Sequence, residues 1–214
     1  MLKYTPKGEK MEISTLIGQF LDANVYIVKK GKNCLIIDSG AFLYDMIKAV
    51  KGYKVDGILL THGHFDHSCH CLDYARFFGC KIYASEKIKD TLTDPVAIYS
   101  EHGDTIEDFS RFEFIEEDKT IKIGDFEVEC YYCPGHSKCC ECYIIDGVMF
   151  SGDVLFNKGI GRTDLKNSDK KEMLESLKKL EKLNFAEVYS GHGEKSTYDD
   201  QMKNIAVFKR FLAR

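Results

Sequence analysis

The chain lacks an excess of basic charge: 30 Lys and Arg stand against 34 Asp and Glu, a formal net charge of −4 over 214 residues. That argues against the electrostatic footprint of a nucleic-acid or anionic-membrane binder, and no basic tract restores it. Long hydrophobic runs are also missing. The longest, such as Cys34–Ile37, fall far short of the about 20 residues that a membrane-spanning helix needs. The opening MLKYTPKGEK has lysines with no apolar stretch behind them, so it does not read as a secretory signal. These absences predict a cytoplasmic protein that takes a small-molecule substrate, with no nucleic acid and no membrane as partner. With 44% hydrophobic and 30% charged residues, the composition is that of a globular enzyme. The length suits one domain over residues 1–214.

The nine cysteines lack a pairing logic. An odd count without a secretory leader argues for reduced thiols. Cys69-His70-Cys71 and Cys139-Cys140-Glu141-Cys142 do not supply the two CxxC-like knuckles of a structural zinc site. They read as small apolar filler or surface thiols. Exposed thiols in such number would suit a strongly reducing host.

Alternation predicts strands over Glu12–Gly18 and Ala23–Val28, with a buried strand at Cys34–Asp38. A helix fits Phe42–Val50, a short buried strand Gly57–Leu60, a helix Cys69–Phe78 and a strand Lys81–Ala84. Residues 85–118 give only short helices and loops, a place for a substrate-shaping segment. Hairpins follow at Lys119–Ile123 with Phe126–Cys133, and at Cys142–Asp146 with Val148–Ser151. A helix Asp169–Leu183, a strand Glu187–Tyr189 and a helix Tyr198–Leu212 close the chain. The pattern repeats faintly: Val25–Gly40 parallels Cys142–Asp153, and each hairpin precedes a short strand that ends near a histidine, His62 or His192. Two similar β-rich halves, each closing with a helix, predict an α/β/β/α sandwich whose loops meet at one edge.

Chemistry concentrates in Thr61-His62-Gly63-His64-Phe65-Asp66-His67. Crowding three imidazoles and a carboxylate is costly unless a cation organises them. Gly63 is expected to free the backbone to turn there. Further ligands must come from other strand ends, which offer Pro134-Gly135-His136, Ser151-Gly152-Asp153 and Gly191-His192-Gly193. Together these count out two metal sites with one bridging carboxylate.

The same residues resemble the HxHxDH signature of the metallo-β-lactamase superfamily, with His136, Asp153 and His192 matching its later ligands in order. Gly152-Asp153-Val154-Leu155-Phe156 and Gly161-Arg162-Thr163-Asp164 resemble the hydroxyacylglutathione hydrolase (glyoxalase II-like) branch, as does Tyr189-Ser190-Gly191-His192-Gly193. The resemblance implies the metallo-β-lactamase fold, an α/β four-layer sandwich. It implies one metal on His62, His64 and His136, a second on Asp66, His67 and His192, and Asp153 bridging. Two zinc ions suit this donor set, and iron or manganese take the same geometry. The implied reaction is thioester hydrolysis, as of S-lactoylglutathione, by a metal-bridging hydroxide held by Asp66 and Asp153. Asp38 either orients a ligand imidazole from behind or is an ordinary turn residue. Arg162 and Asp164 support the site or brace each other.

Two departures bear on the substrate. His136-Ser137-Lys138-Cys139-Cys140 differs from the family's usual run and is expected to line the pocket. Only 22 residues follow His192, too few for a glutathione-binding helical domain. His70 and His102 match no ligand position. A mononuclear iron persulfide dioxygenase using His62, His136 and Asp153, or a non-enzymatic metal-bound scaffold, are the rival readings. A nuclease of the β-CASP type is disfavoured by length and charge, and the diiron oxygen reductase pattern would need Glu where His64 stands.

Overall fold

A computed structural model describes residues 11–116 and 118–213; the segment MLKYTPKGEK lies outside them. Strands β1 (Glu12–Ile17), β2 (Asn24–Lys30) and β3 (Asn33–Ile37) run as an antiparallel meander. Helix α1 (Leu43–Ala49) crosses to β4 (Lys54–Leu59), parallel to β3. The short α2 (Phe65–Ser68) and α3 (Cys71–Phe78) lead to β5 (Lys81–Ser85), and α4 (Ile88–Leu92) to β6 (Phe112–Ile115). The second half holds β7 (Lys119–Ile123), β8 (Phe126–Tyr132), β9 (Glu141–Ile145) and β10 (Val148–Gly152). It continues through the small pair β11 (Leu155–Phe156) and β12 (Gly159–Ile160) to α5 (Lys170–Leu180). Strands β13 (Glu187–Ser190) and β14 (Ser196–Thr197) and helix α6 (Tyr198–Leu212) end it.

One sheet has the order β1-β2-β3-β4-β5-β6, the other β14-β13-β10-β9-β8-β7. Side chains alternate along each strand, and that period sorts the core into three layers. Val25, Ile27, Cys34 and Ile36 face α1 and α3 through Met46 and Tyr74. Tyr26, Val28, Leu35 and Ile37 meet Tyr143, Ile145 and Phe150 between the sheets. Cys142, Ile144 and Met149 face α5 and α6 through Met173, Leu177 and Ile205. The result is the expected α/β/β/α sandwich. Because both faces of its central strands are covered, they read as unbroken apolar runs.

The internal repeat is structural. The β2–β3 and β9–β10 hairpins each gain a parallel third strand, β4 and β13, with Leu59 opposite Ile37 and Ser190 opposite Gly152. Each third strand stops just short of a histidine. The elements differ from expectation where side-chain pattern is weakest. Strand β6 emerges from the stretch read as helices and loops, because four residues on a sheet edge carry too little periodicity. The helix expected from Cys69 starts at Cys71, and Phe65–Ser68 makes a separate turn.

The cysteines correct another expectation. All nine are free, eight are buried and only Cys69 is half-buried. Burial pushes the Cys34, Cys69 and Cys130 thiols up to about 12. They act as small apolar filler, and the exposed thiols that pointed to a reducing host are not there.

One charged residue breaks the pattern. Glu141 is 1% exposed, and neither carboxyl oxygen has a hydrogen-bond partner. Burial raises it to about 8. A folded-state value above the unfolded one means that its contribution is full below about pH 4.5 and is lost as pH rises through about 8. Glu141→Gln should therefore flatten the loss of stability between pH 5 and 9 by on the order of a few kcal/mol. Urea unfolding at both pH values measures it, and parallel pH profiles for the two proteins would contradict the assignment.

Candidate metal centre

The seven expected side chains converge where the ends of β4, β8, β10 and β13 meet. His62 and His64 leave β4 in an extended loop, and α2 then turns Asp66 and His67 inward, with Ser68 N–H and Oγ both donating to the His64 carbonyl at 3.0 Å. The turn that carries His136 is clamped by α5: Asp169 N–H donates to the Gly135 carbonyl at 2.9 Å, and Ser176 Oγ to that of Pro134 at 2.6 Å. His192 is placed from the other sheet. Tyr26 Oη and Asn24 Nδ2 donate to the Ser190 carbonyl at 2.5 and 3.0 Å, and Asn24 N–H to that of Gly191 at 2.7 Å. Gly191 has no room for a side chain: a Cβ there would lie 2.1 Å from Asp153 Oδ1. Gly63 corrects its expected role. Its backbone is not left-handed, and the space is what matters, because a Cβ would press on Thr91 at 3.0 Å and Ile88 at 3.2 Å.

Two trios that share no residue result, His62-His64-His136 and Asp66-His67-His192, and a third, His62-His67-Asp153, spans them. In the first, His64 Nδ1 lies 3.1 Å from His62 Nε2 and 3.0 Å from His136 Nε2. In the second, His192 Nε2 lies 3.3 Å from both His67 Nε2 and Asp66 Oδ2. Asp153 stands between them: Oδ2 is 3.4 Å from His136 Nε2 and 3.5 Å from His192 Nε2, and Oδ1 is 3.4 Å from His67 Nε2. Yet Asp153 Oδ1 is buried with no hydrogen-bond partner. Donors on one tetrahedral metal with bonds of about 2.0–2.1 Å stand about 3.3 Å apart. The spacing, the mixed imidazole and carboxylate set and the orphaned oxygen all fit a pair of metal ions.

The far side of four of the five rings fixes the tautomer; His64 Nε2 is buried without a partner. His67 Nδ1 donates to Asp38 Oδ2 at 2.8 Å, His136 Nδ1 to the Arg162 carbonyl at 3.0 Å, and His192 Nδ1 to the Leu21 carbonyl at 3.0 Å. Thr61 Oγ1 donates to Asp38 Oδ2 at 2.8 Å and so accepts from His62 Nδ1 at 3.1 Å. In these four rings the Nε2 lone pair is left for the centre. Asp38 therefore sits behind the ligand loop as an orienting carboxylate, in a left-handed turn at φ +62°. Arg162 contributes its carbonyl, while its guanidinium and Asp164 brace each other through two bonds of 2.9 Å. Thr61 and the Leu21 carbonyl were not legible beforehand. A threonine after a strand is commonplace, and a carbonyl has no signature.

Electrostatically the trios differ. Burial, aided by neighbouring imidazoles, holds His62 and His136 below their ordinary value and brings His64 down to about 3. Burial works against protonation of His67 and His192 too, but the Asp66 and Asp153 carboxylates outweigh it and lift them to about 9 and 10. Burial likewise opposes ionisation of Asp66 and Asp153, and the imidazoles keep both below the usual carboxylate range. The second trio is thus a nest that favours positive charge.

Above the centre opens a cavity of about 560 Å³, walled by Phe20, Leu21, Phe65, Tyr99, Phe156 and Leu165. Residues 99–102, from the stretch that could not be read, line it, so His102 reaches the pocket though not the metal trios. Ser137, Cys139 and Cys140 do not line it, contrary to expectation: they are buried, with Ser137 and Cys139 packed on Thr91 at 3.4 and 3.5 Å. His70 lies outside both trios, beside Gln19 and 3.6 Å from Asp73.

Asp38→Asn tests the orienting role. Asn tolerates a left-handed turn, but Asp38 Oδ1 accepts from Thr61 N–H at 2.7 Å while Oδ2 accepts from Thr61 Oγ1 and His67 Nδ1, so the amide NH2 must face donors on one side. Metal affinity of the second trio is expected to fall about 10–100-fold in chelator competition; an unchanged affinity would refute the role.

A profile of the metallo-beta-lactamase superfamily matches residues 18–192. The chain is 33% identical over 181 residues to the probable metallo-hydrolase YqgX of Bacillus subtilis, covering 81% of this chain and 86% of that one. It is 30% identical over 183 residues to the hydroxyacylglutathione hydrolase GloC of Haemophilus influenzae, again covering 81% and 86%. The solved structure of the BLEG-1 B3 metallo-beta-lactamase superposes with a TM-score of 0.83 at 28% identity, covering 92% of this chain and 99% of that one. The matched span holds all seven converging side chains, and the chain belongs to the metallo-beta-lactamase superfamily.

Proposed function

We propose that the chain hydrolyses acyl thioesters such as S-lactoylglutathione, with two zinc ions on the two trios and Asp153 between them. Iron or manganese fit the same donors. When bound, such a pair supplies a hydroxide near neutral pH and polarises the substrate carbonyl. The chain's own part is to align the attacking water through the Asp66 and Asp153 carboxylates, and to keep four of the five imidazoles in one tautomer through Asp38, Thr61, Leu21 and Arg162. The similarity to a hydroxyacylglutathione hydrolase supports the thioester. A persulfide dioxygenase centre would need only His62, His136 and Asp153, and the complete second trio speaks for the hydrolytic pair.

The observation that carries the choice of bond is that the cluster's imidazoles turn a lone pair, not an N–H, toward the centre; His64 Nε2, buried without a partner, lies on the far side of its ring. Among the described residues, the ring nitrogens behind His62, His67, His136 and His192 are committed to oxygen partners. Lys138 does not line the cavity, and Tyr99 Oη, which accepts from Lys166 N–H at 2.5 Å and keeps its own O–H, makes no hydrogen bond to the trios. The His102 side chain makes no hydrogen bond to the trios. A thiolate with a pKa of about 8.5 leaves without being protonated first, whereas an amine needs a donor aimed at nitrogen. The likeness to a B3 metallo-beta-lactamase favours a second reading, opening of a lactam ring.

Both readings meet in one assay. The metal-loaded enzyme should consume thioester absorbance and leave a chromogenic cephalosporin nearly untouched; rapid lactam opening with inert thioesters would reverse the assignment. Asp153→Ala should weaken both metals together and abolish turnover, while His70→Ala leaves metal content and rate nearly unchanged. Loss of activity in the His70 variant would show that the roles are misassigned.

A further inference from the structure

We propose, building on the thioester reading but not on its S-lactoylglutathione example, that this pocket selects uncharged, apolar acyl thioesters, and that Leu21 and Tyr99 are the residues that determine this preference. Six non-glycine residues among those described have left-handed backbones. Asp22, Asp38, Asp146 and Asn167 are of the types that tolerate it; Leu21 at φ +51° and Tyr99 at φ +58° are not. Such strain is costly and gathers at functional sites. Both bulky outliers line the same cavity.

Each is held there by the metal centre's own surroundings. The Leu21 carbonyl accepts from His192 Nδ1 at 3.0 Å, and the turn is closed by Gly18 N–H to the Ala23 carbonyl at 2.7 Å. The Tyr99 ring packs edge-on against His64 at 5.1 Å between centroids. Next to Leu21, the Phe20 ring packs against Phe65 at 5.2 Å. The turn thus orients a metal-site imidazole through its backbone while presenting a leucine that is 81% exposed. An isobutyl group in that position is stabilised when an apolar ligand covers it, which offsets the strain only in the complex.

Charge points the same way. Outside the trios and Asp153, the charged side chains on the cavity wall among the described residues are Glu101 and Arg162, with no lysine. Asp164 takes both faces of the Arg162 fork at 2.9 Å. A thiol with free carboxylates, such as glutathione, finds no unengaged cation and faces Glu101.

The test compares S-hexanoyl-N-acetylcysteamine with S-hexanoylglutathione, which share an acyl group. The uncharged thioester is expected to have at least about a 10-fold higher kcat/KM, through KM. Leu21→Asn keeps the left-handed turn and the carbonyl to His192. It should raise KM for the uncharged substrate about 5–20-fold, with kcat changed less than about two-fold and metal content intact; Leu21→Met should restore KM. Asp164→Ala, which frees Arg162, should lower KM for the glutathione thioester. Calorimetry with the non-hydrolysable S-hexyl thioethers of both thiols reads the pocket without turnover. If neither thioester reacts but the uncharged thioether binds more tightly and Leu21→Asn weakens it, the pocket assignment stands and the hydrolysis reading falls. Tighter binding of the glutathione thioether, or indifference to Leu21→Asn, overturns the proposal.

Discussion

Converging lone pairs dictate the rest of this structure. Imidazole nitrogens and carboxylate oxygens within 3.0–3.5 Å of one another repel unless positive charge lies between them. Burial sharpens the problem, because a charged or polar group away from water and without a partner costs free energy. His62 and His67 are fully buried and Asp153 is 7% exposed. Such a cluster persists only if the surrounding fold overdetermines it and a cation completes it. The short reach of Gly191 to Asp153, the clamp of α5 on the 134–136 turn and the Asp38 carboxylate behind His67 are all devices for holding donors where they would not otherwise stay.

The two sheets divide this task. The first supplies four donors from a single segment at the end of β4, and the second supplies His136, Asp153 and His192 from three separate strand ends. Neither half completes a trio alone, so the site exists only when the two sheets are held in register. Hydrogen bonds that cross between halves provide that registration: Tyr26 and Asn24 to the 190–193 loop, Glu141 N–H to the Thr61 carbonyl at 2.8 Å, and Tyr143 Oη to that of Leu60 at 2.7 Å. The apolar layer between the sheets supplies adhesion; these bonds supply position.

What could be read from the chain follows from where the information lies. The ligand residues announce themselves by side-chain type, and helix α6 by a long amphipathic period, so Tyr198–Leu212 was placed to the residue. The sandwich follows from the faint internal repeat, two similar β-rich halves that each close with a helix. Contributions made by the main chain left no trace, as with the Leu21 and Arg162 carbonyls. Space was misread as conformation at Gly63, where the crowding residue Thr91 lies 28 positions away. The 94–104 segment was opaque because its structure is set by distant partners, among them Lys166 bonded to both Asp94 and Tyr99. Proximity to His136 suggested that Ser137–Cys140 line the pocket, but the chain turns away into the core there.

The central claim is that seven side chains form one centre for two cations. Metal content measured by inductively coupled plasma mass spectrometry, on protein loaded with zinc and then desalted, tests it most directly. The account predicts about two equivalents in the native protein, falling toward one in His192→Ala, whose first trio is intact. A single equivalent in both proteins would contradict it.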